Sequence, residues 1–574
     1  MDSGRPLRDS PLLGLLSRRL QEELVAAASP FDLPAQEWLF REGDPGDRMY
    51  AIVSGRVRVV AERDGRPRVL TTLGPGAVLG ELSVLTGEPR SASIQAVRDT
   101  ELLEIDGERF AELLRQDPEL GAGLARALAV RLQRGGSLEP SEAPVSVVAV
   151  VGGATGAADR LWRAFVTAFQ ELGTVRSLDG PPAEWADLWS FGRHLGELEH
   201  AHDTVLLRAE LAHSDWSSFV VRQADRVLVV AEGSPPEIAF PEGVDLVFLR
   251  TPDVDEVANW TARTGARGHH VVTSPEEIED GAHRIVRRVT GSSLGIVLSG
   301  GGARAFAHIG VLDVLAREGI VADRLGGCSM GAFVAAMAAF GWSPGRMLET
   351  CTVELARRAP FSDYTIPRYA LIRARRAASM LQRLFGDTCI EQLRLPLYTV
   401  SADLVSSAMV VHRTGLVFEA VGASMAIPGL APPVPRHASL LVDGGILNNL
   451  PVDIMAAGEA GPIVAVDVMR RLEGEGEAGE ALRPTILETL SRATVLGSVG
   501  RAEANRELAD VLISPDVQDV PLRGFRELAR AVDAGRRAAE EALESGAKEA
   551  IEAARRRPSG AGRPTVSPAP LASA

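Results

Sequence analysis

The chain has 574 residues, too many for one ordinary domain, and its 45% hydrophobic content is enough to fill several cores. A net charge of -15 excludes a broad electrostatic hold on nucleic acid, while leaving room for a local basic patch that meets anionic lipid. Three cysteines (Cys328, Cys351 and Cys389) lack metal-ligand spacing and cannot form a disulfide framework, so they read as small hydrophobes in a reducing, cytoplasmic compartment, with no metal expected.

The start, "MDSGRPLRDSPLLGLLSRRL", has no apolar core of signal-peptide length, and no uninterrupted apolar run approaches a membrane span. Any membrane contact is therefore expected to be peripheral, at the inner face. Residues 11 to 28 read as an amphipathic helix, and from Leu33 to about Ile105 short β-rich segments alternate with glycine turns, which predicts a small antiparallel barrel. Residues 106 to 133 read as helix, closing a first unit at 11–133, and "RGGSLEPSEAP" (134–144) as a linker. In a second unit, 145–290, apolar strands such as "DRVLVVAEG" alternate with helical stretches, which predicts an α/β domain. A third unit, 291–470, opens with "LGIVLSGGGARAFAHIGVL" and closes near "GPIVAVDVM". A C-terminal helical region, 471–556, follows, with a charged, alanine-rich helix over 522–556, and the Pro/Ala/Ser/Gly-rich end, 557–574, reads as disordered.

Three stretches of the third unit carry chemistry. In "IVLSGGGARAFAHIGVL" a strand runs into Gly300-Gly301-Gly302 before a helix, so consecutive amides without side chains can converge on an oxyanion. A tight packing turn or a phosphate loop are the other readings, and the second is nearly excluded because no lysine follows the last glycine. "GGCSMGAF" holds Ser329 in the pattern G-x-S-x-G, where small neighbours let a strand turn sharply into a helix and lift the serine oxygen to the sheet edge. Alone, it is equally well a plain strand-to-helix turn. Ser329 needs a proton acceptor. Asp403 with His412 or His437 would follow the familiar hydrolase order, but neither histidine sits in a recognisable catalytic loop, and the single lysine, Lys548, lies in the tail. In "LLVDGGILNNLP" an apolar strand delivers Asp443 to a glycine turn, where a carboxylate can reach a serine directly; an ordinary Asp-Gly-Gly turn is the other reading.

Together and in this order, Gly300 to Arg304, Gly327 to Gly331 and Asp443 to Gly445 resemble the motifs of patatin-like phospholipases. "LPLYTVSADLVSSAMVVHRTG", "VGASMAIPG" and "DGGILNNLPVDI" are similar to the bacterial relatives of neuropathy target esterase. The resemblance implies a C-terminal α/β/α hydrolase with a mainly parallel sheet and a catalytic Ser-Asp dyad. Ser329 attacks the ester carbonyl, Asp443 acts as general base, and Gly300, Gly301, Gly302 and Arg304 make the oxyanion hole. It implies a serine esterase acting on phospholipid or lysophospholipid acyl esters, with no required cofactor. His308 is expected to anchor the oxyanion helix by packing and a backbone hydrogen bond. Ala305 stands where the family has glycine, and if that position needs positive φ the alanine is strained and the loop shifts. That departure favours the rival reading, a cyclic-nucleotide-responsive binding or scaffold protein with a silent hydrolase unit.

The first unit resembles a cyclic-nucleotide-binding domain, through "GDPGDRMYAIVSGRVRVV" and "GAVLGELSVLTGEPRSASIQA". The resemblance implies that Gly80, Glu81 and Leu82 open a short helix facing phosphate, with Glu81 on the ribose hydroxyl and Arg90 and Ser91 on the cyclic phosphate of cyclic AMP or cyclic GMP. The middle unit reads as a degenerate Rossmann or P-loop-like spacer, because "VVAVVGGATGAADRLWRAF" has no ligand lysine. In "PRYALIRARRAASMLQRLFG", Arg368, Arg373, Arg375, Arg376 and Arg383 interleave with Leu371, Ile372, Met380 and Leu381, as in a helix that seats on anionic lipid or in a solvated arginine-rich helix.

Overall fold

Period-two apolar patterning over the first hundred residues produces an antiparallel barrel. The computed structural model describes residues 18–116, 145–469, 496–556 and 571–572, apart from short stretches at 64–65, 154, 182–187, 213, 237–239, 241–243 and 459–460. The expected linker at 134–144 and most of the C-terminal end lie outside the described residues. After helix α1 (Arg18–Ala27), strands β1 (Ser29–Leu33), β2 (Trp38–Phe40), β3 (Arg48–Arg63), β4 (Arg66–Leu73), β5 (Val78–Leu79) and β6 (Ser93–Asp106) pair in the order β1-β6-β3-β4. β2 joins β6, and β5 joins β3. Helix α2 (Glu81–Thr86) interrupts them, and α3 (Gly107–Gln116) follows. Ile52, Val57, Leu79, Ile94 and Leu102 close the barrel core; each such side chain contributes about 1.5–3 kcal/mol on burial.

The middle unit is an all-parallel sheet, β12-β11-β10-β7-β9-β8, built from β7 (Val147–Gly152), β8 (Val175–Asp179), β9 (Thr204–Glu210), β10 (Arg226–Val230), β11 (Asp245–Phe248) and β12 (Gly268–Val271). Its central strands are apolar runs because both faces are covered. Helices α4 (Gly156–Gln170), α5 (Leu188–Ala201), α6 (Asp215–Gln223), α7 (Val254–Thr264) and α8 (Ile278–Val289) supply the covers. The barrel docks here through buried ions. Arg98, itself fully buried, donates to both Glu199 oxygens at 2.7 and 2.9 Å, and Arg56 meets Asp225 at 3.2 Å.

The third unit is a nine-stranded sheet ordered β17-β18-β15-β14-β13-β19-β20, with β16 beside β15 and the short β21 beside β16. Its strands are β13 (Gly295–Leu298), β14 (Arg324–Cys328), β15 (Leu397–Asp403), β16 (Ala408–His412), β17 (Val434–Arg436), β18 (Ser439–Asp443), β19 (Ile463–Val466), β20 (Val511–Ile513) and β21 (Leu571–Ala572). β13, β14, β15, β19 and β20 run parallel. Helices α9 (Ala307–Arg317), α10 (Met330–Ala339), α11 (Arg375–Phe385) and α12 (Val417–Ser424) pack against it. Three expectations need correction. The unit does not end near 470, because β20 pairs with β19 and so completes the same sheet. The helix expected over 522–556 is two, α13 (Leu528–Glu544) and α14 (Ala547–Arg555), broken at Gly546, whose φ of 94° leaves the helical region. Leu571–Ala572, inside the end expected to be disordered, forms β21 against Met409 and Val410. Helix α13 lies against α9 at backbone contact, since a Cβ on Gly535 would come within 1.9 Å of the Ala307 carbonyl oxygen. Among the described residues, no helix is long and apolar enough to cross a membrane.

Candidate active site

Strand β14 ends at Cys328 and helix α10 begins at Met330, leaving Ser329 alone at the corner with φ 54° and ψ -127°. A non-glycine residue held there is strained, as expected of a nucleophile elbow. The corner is tight enough to demand both flanking glycines: a Cβ on Gly327 would lie 2.7 Å from the Gly331 carbonyl carbon, and one on Gly331 would lie 2.4 Å from the Leu298 oxygen. Ser424, at the end of α12, fixes the corner from the other side. Its hydroxyl donates to the Val400 carbonyl at 2.7 Å and accepts the Ser329 N–H at 2.9 Å.

Sheet register brings the carboxylate to the serine. Along one edge of β15, β14 pairs as far as Cys328 opposite Val400, and β18 takes over at the next residue, with Asp443 opposite Ser401. The residue leaving β14 and the residue ending β18 therefore meet. Ser329 Oγ donates to Asp443 Oδ2 at 2.6 Å across 114 positions of sequence. The other oxygen, Oδ1, accepts the Gly445 N–H at 2.8 Å and faces Cys328 Sγ at 3.7 Å. Burial raises the Asp443 pKa from 3.8 to about 6, outweighing the bonds from Ser329, Gly445 and Cys328 that favour its charged form. This carboxyl is ionised at neutral pH yet more basic than an ordinary aspartate.

The histidines are occupied elsewhere. His412 Nδ1 accepts from Arg436 at 3.1 Å, so its Nε2 donates to Ser401 at 2.7 Å; burial first, and Arg436 second, lower its pKa to about 4. His308, fully buried at the start of α9, bonds the Ser299 carbonyl at 2.9 Å, and burial lowers its pKa to about 4. His437 is exposed on the β17–β18 turn. Asp403 accepts from Val405, Ser406 and Leu440, and the Ser406 hydroxyl foremost holds its carboxyl well below the ordinary 3.8.

Strand β13 delivers Gly300, Gly301 and Gly302 to the same place. Gly302 has φ 55°, and a Cβ there would lie 2.2 Å from the Leu522 carbonyl oxygen, so only glycine fits. Two of the expected oxyanion residues do other work. The Gly300 N–H donates to the Asn449 carbonyl at 3.1 Å, while Asn449 Nδ2 returns a bond to the Gly300 carbonyl at 3.1 Å. The Arg304 N–H donates to Gly301, and its guanidinium grips the Val520 and Gln518 carbonyls at 2.8 and 2.9 Å. Gly301, Gly302 and Met330 remain as amides without a protein acceptor among the described residues, and all three line one cavity with Ser329. Sequence reasoning assigned no role to Ser424, Asn449 or Met330. Ala305 is not among the positive-φ residues and sits buried in a 3-10 turn, so the glycine-to-alanine departure strains nothing. The cavity, about 250 Å³, is chiefly apolar, with Leu381, Phe418, Met425, Ile427, Leu430 and Phe525 in its wall.

The patatin-like phospholipase family matches residues 296–456, and the cyclic nucleotide-binding domain matches residues 30–117. An NTE family protein of Mycobacterium tuberculosis is 33% identical over 581 residues, covering 95% of this chain and 97% of its own. The chain belongs to the NTE family of patatin-like phospholipases. It is a hydrolase of the phospholipase and esterase class. Patatin-like phospholipase domain-containing protein 6 of Homo sapiens is 28% identical over 507 residues, 75% of this chain and 37% of that protein. Lysophospholipase NTE1 of Cryptococcus neoformans is 27% identical over 644 residues, 93% and 39% of the two chains.

In this NTE-family phospholipase the barrel gathers its five expected nucleotide residues around α2. Gly80 (φ 74°) precedes the helix, Glu81 and Arg90 are buried, and Leu82 and Ser91 are exposed. The Arg90 guanidinium folds inward, donating to the Gly80 and Arg48 carbonyls at 3.0 and 2.7 Å and stacking 4.1 Å from the Phe40 ring. In the middle unit, the Glu232 carboxylate closes the loop after β7. It accepts from Thr155 at 2.8 Å, and its second oxygen lies 2.8 Å from where a Gly153 Cβ would stand. A carboxylate there repels phosphate.

Proposed function

We propose that Ser329 and Asp443 are the catalytic dyad of this phospholipase, and that it hydrolyses acyl esters of phospholipids or lysophospholipids. The observation that carries the reading is the 2.6 Å bond between Ser329 Oγ and Asp443 Oδ2 at the wall of an apolar cavity. As Ser329 Oγ attacks the ester carbonyl, Asp443 takes its proton, and the new oxyanion receives N–H groups from Gly301, Gly302 and Met330. When the tetrahedral intermediate collapses, the protonated Asp443 returns that proton to the departing glycerol oxygen, leaving an acyl-serine. Water then attacks the acyl-serine as Asp443 accepts one of its protons, and when the second tetrahedral intermediate collapses Asp443 returns that proton to Ser329 Oγ, releasing the free fatty acid and restoring both side chains. Every proton in the cycle is carried by Asp443.

A fatty acyl chain fits a wall of leucine, isoleucine, methionine and phenylalanine, and the name of the fungal relative, lysophospholipase, supports the same substrate class. The ordinary backbone at Ala305 removes the one feature that favoured a silent hydrolase. The barrel extends the proposal to regulation by a cyclic nucleotide bound at Gly80, Glu81, Leu82, Arg90 and Ser91; titration with cyclic AMP and cyclic GMP in a calorimeter reads it directly, and no heat with either overturns it. Hydrolysis of lysophosphatidylcholine by the full chain tests the dyad. The wild type should release fatty acid and Ser329→Ala should fall to background; full activity in the variant would defeat the reading.

A further inference from the structure

The arginine-rich stretch beside the active site folds differently from a lipid-seated helix. Leu381, Met380 and Ile372, the expected lipid-facing residues, are 1–3% exposed, and Leu371 is only partly exposed. The apolar face of α11 therefore belongs to the core, and Arg383 pairs with Glu354 at 2.8 Å. What protrudes is the finger just before it. Tyr364 and Ile372 form an antiparallel bridge, Thr365 donates to Leu371 at 3.0 Å, and Arg373 donates to the Asp363 carbonyl at 3.0 Å. The tip, Ile366-Pro367-Arg368-Tyr369, is thus held out on a paired stem. It carries the most exposed large apolar side chain of the described residues, Ile366 at 89%, with Tyr369 at 76%, and Tyr364 on the stem is 61% exposed.

The stem is tied to the wall of the catalytic cavity. Leu371 and Ile372 donate to the Gly429 and Leu430 carbonyls at 2.9 and 3.0 Å, and Phe361, Ile372 and Ala374 at its base line the cavity. Around the tip, Arg368, Arg373 and Arg375 are exposed, and none of them meets a carboxylate among the described residues. In a chain of net charge -15, in which arginines elsewhere pair repeatedly with aspartate and glutamate, a cluster of unpaired ones is distinctive. Exposed isoleucine and tyrosine at a tip, ringed by cations, match a surface that offers hydrocarbon beneath anionic headgroups. The remaining negative charge of the chain would turn the other faces away from such a surface.

We infer that the 363–375 finger is the docking element of this enzyme for an anionic phospholipid surface, with Ile366 and Tyr369 entering the acyl boundary and Arg368, Arg373 and Arg375 meeting the headgroups. The inference rests on the reading that the neighbouring cavity takes lipid acyl esters, because docking there brings the cavity wall that the stem helps to form close to the bilayer. The test uses the full chain carrying Ser329→Ala, which leaves vesicles intact. It measures co-sedimentation with vesicles of phosphatidylcholine alone and with about 30% phosphatidylglycerol. The protein should sediment with the anionic vesicles only. Ile366→Ser with Tyr369→Ser, and separately Arg368→Gln, Arg373→Gln and Arg375→Gln together, should each weaken partition about tenfold or more. In the active chain the same substitutions should preserve turnover of a water-soluble butyrate ester and reduce turnover of vesicle-borne lysophospholipid.

Unchanged sedimentation of both variant sets, or no sedimentation of the parent chain, would overturn the inference. A dimer in analytical ultracentrifugation that the Ile366→Ser and Tyr369→Ser pair dissolves would also overturn it, by making the finger a contact between copies. Failure of the active chain to cleave the soluble ester counts against the dyad alone, since sedimentation reads the finger without turnover.

Discussion

Asp443→Asn should make this protein more stable and nearly inactive at once, and both effects trace to one buried carboxyl. Its pKa lies at about 6 in the fold against an ordinary 3.8, chiefly because burial disfavours the charge. The folded chain therefore holds the proton more tightly than the unfolded chain does. Ionising the group costs stability, with the loss beginning as pH rises past the ordinary value and complete above about 6. A gap of roughly two pKa units corresponds to roughly 3 kcal/mol. Asparagine is nearly isosteric, can still accept the Gly445 N–H, and carries no charge to desolvate. The stability of Asp443→Asn relative to wild type should accordingly be near zero at pH 4 and grow to about 3 kcal/mol in favour of the variant at pH 8. A multidomain chain does not unfold in one step, so the comparison is read from hydrogen exchange of peptides spanning β14 and β18. With Asp443 as the proposed general base, the substitution should lower turnover by about 100-fold to 10,000-fold. A variant no more protected than wild type at pH 8, or a difference that does not change with pH, would refute the reasoning.

Other consequences follow from the same geometry. Because the base must be ionised, kcat/KM should fall about tenfold per unit as pH drops below about 6, and a flat profile down to pH 5 would contradict the assignment. Asn449→Ala removes the side-chain bond to the Gly300 carbonyl, worth about 1 kcal/mol; under the proposed oxyanion role of this loop, which acts in the transition state, kcat should fall about fivefold with KM steady. A raised KM with unchanged kcat would assign Asn449 to substrate binding instead. Arg98→Ala removes the partner of the half-buried Glu199 and one of the two arginines that face the buried Asp225, and should destabilise the junction of barrel and middle unit by about 3 kcal/mol. Unaltered thermal unfolding would show that the ion cluster holds nothing together.

The parts of the site that were legible in sequence are those where backbone geometry dictates residue type. The Gly327 and Gly331 pair, the Gly302 contact with Leu522 and the Asp443 turn leave their mark as glycines because no side chain fits. Which amides stay open was not legible. Gly300 is engaged by Asn449, 149 positions away, and Arg304 by Gln518 and Val520, partners that only the closed sheet brings near. Ser424 was hidden for the same reason: a lone serine carries no local pattern, and its role comes from standing between Val400 and Ser329. The arginine stretch misled in a different way. Its helical spacing is real, but the apolar face covers the core, and the exposed apolar residues sit before it, where Pro367 interrupts the period. Gly546 and β20 show how a helix break and a late strand escape patterning when the neighbouring residues are helix formers or a three-residue apolar run.

We propose Ser329 as a nucleophile activated by Asp443. That role is tested most directly by treating the full chain with a fluorophosphonate probe and locating the adduct by mass spectrometry. The wild type should carry one adduct, on Ser329, formed more slowly in Asp443→Asn and absent in Ser329→Ala. No adduct on the wild type, or an adduct on another residue that survives Ser329→Ala, would contradict it.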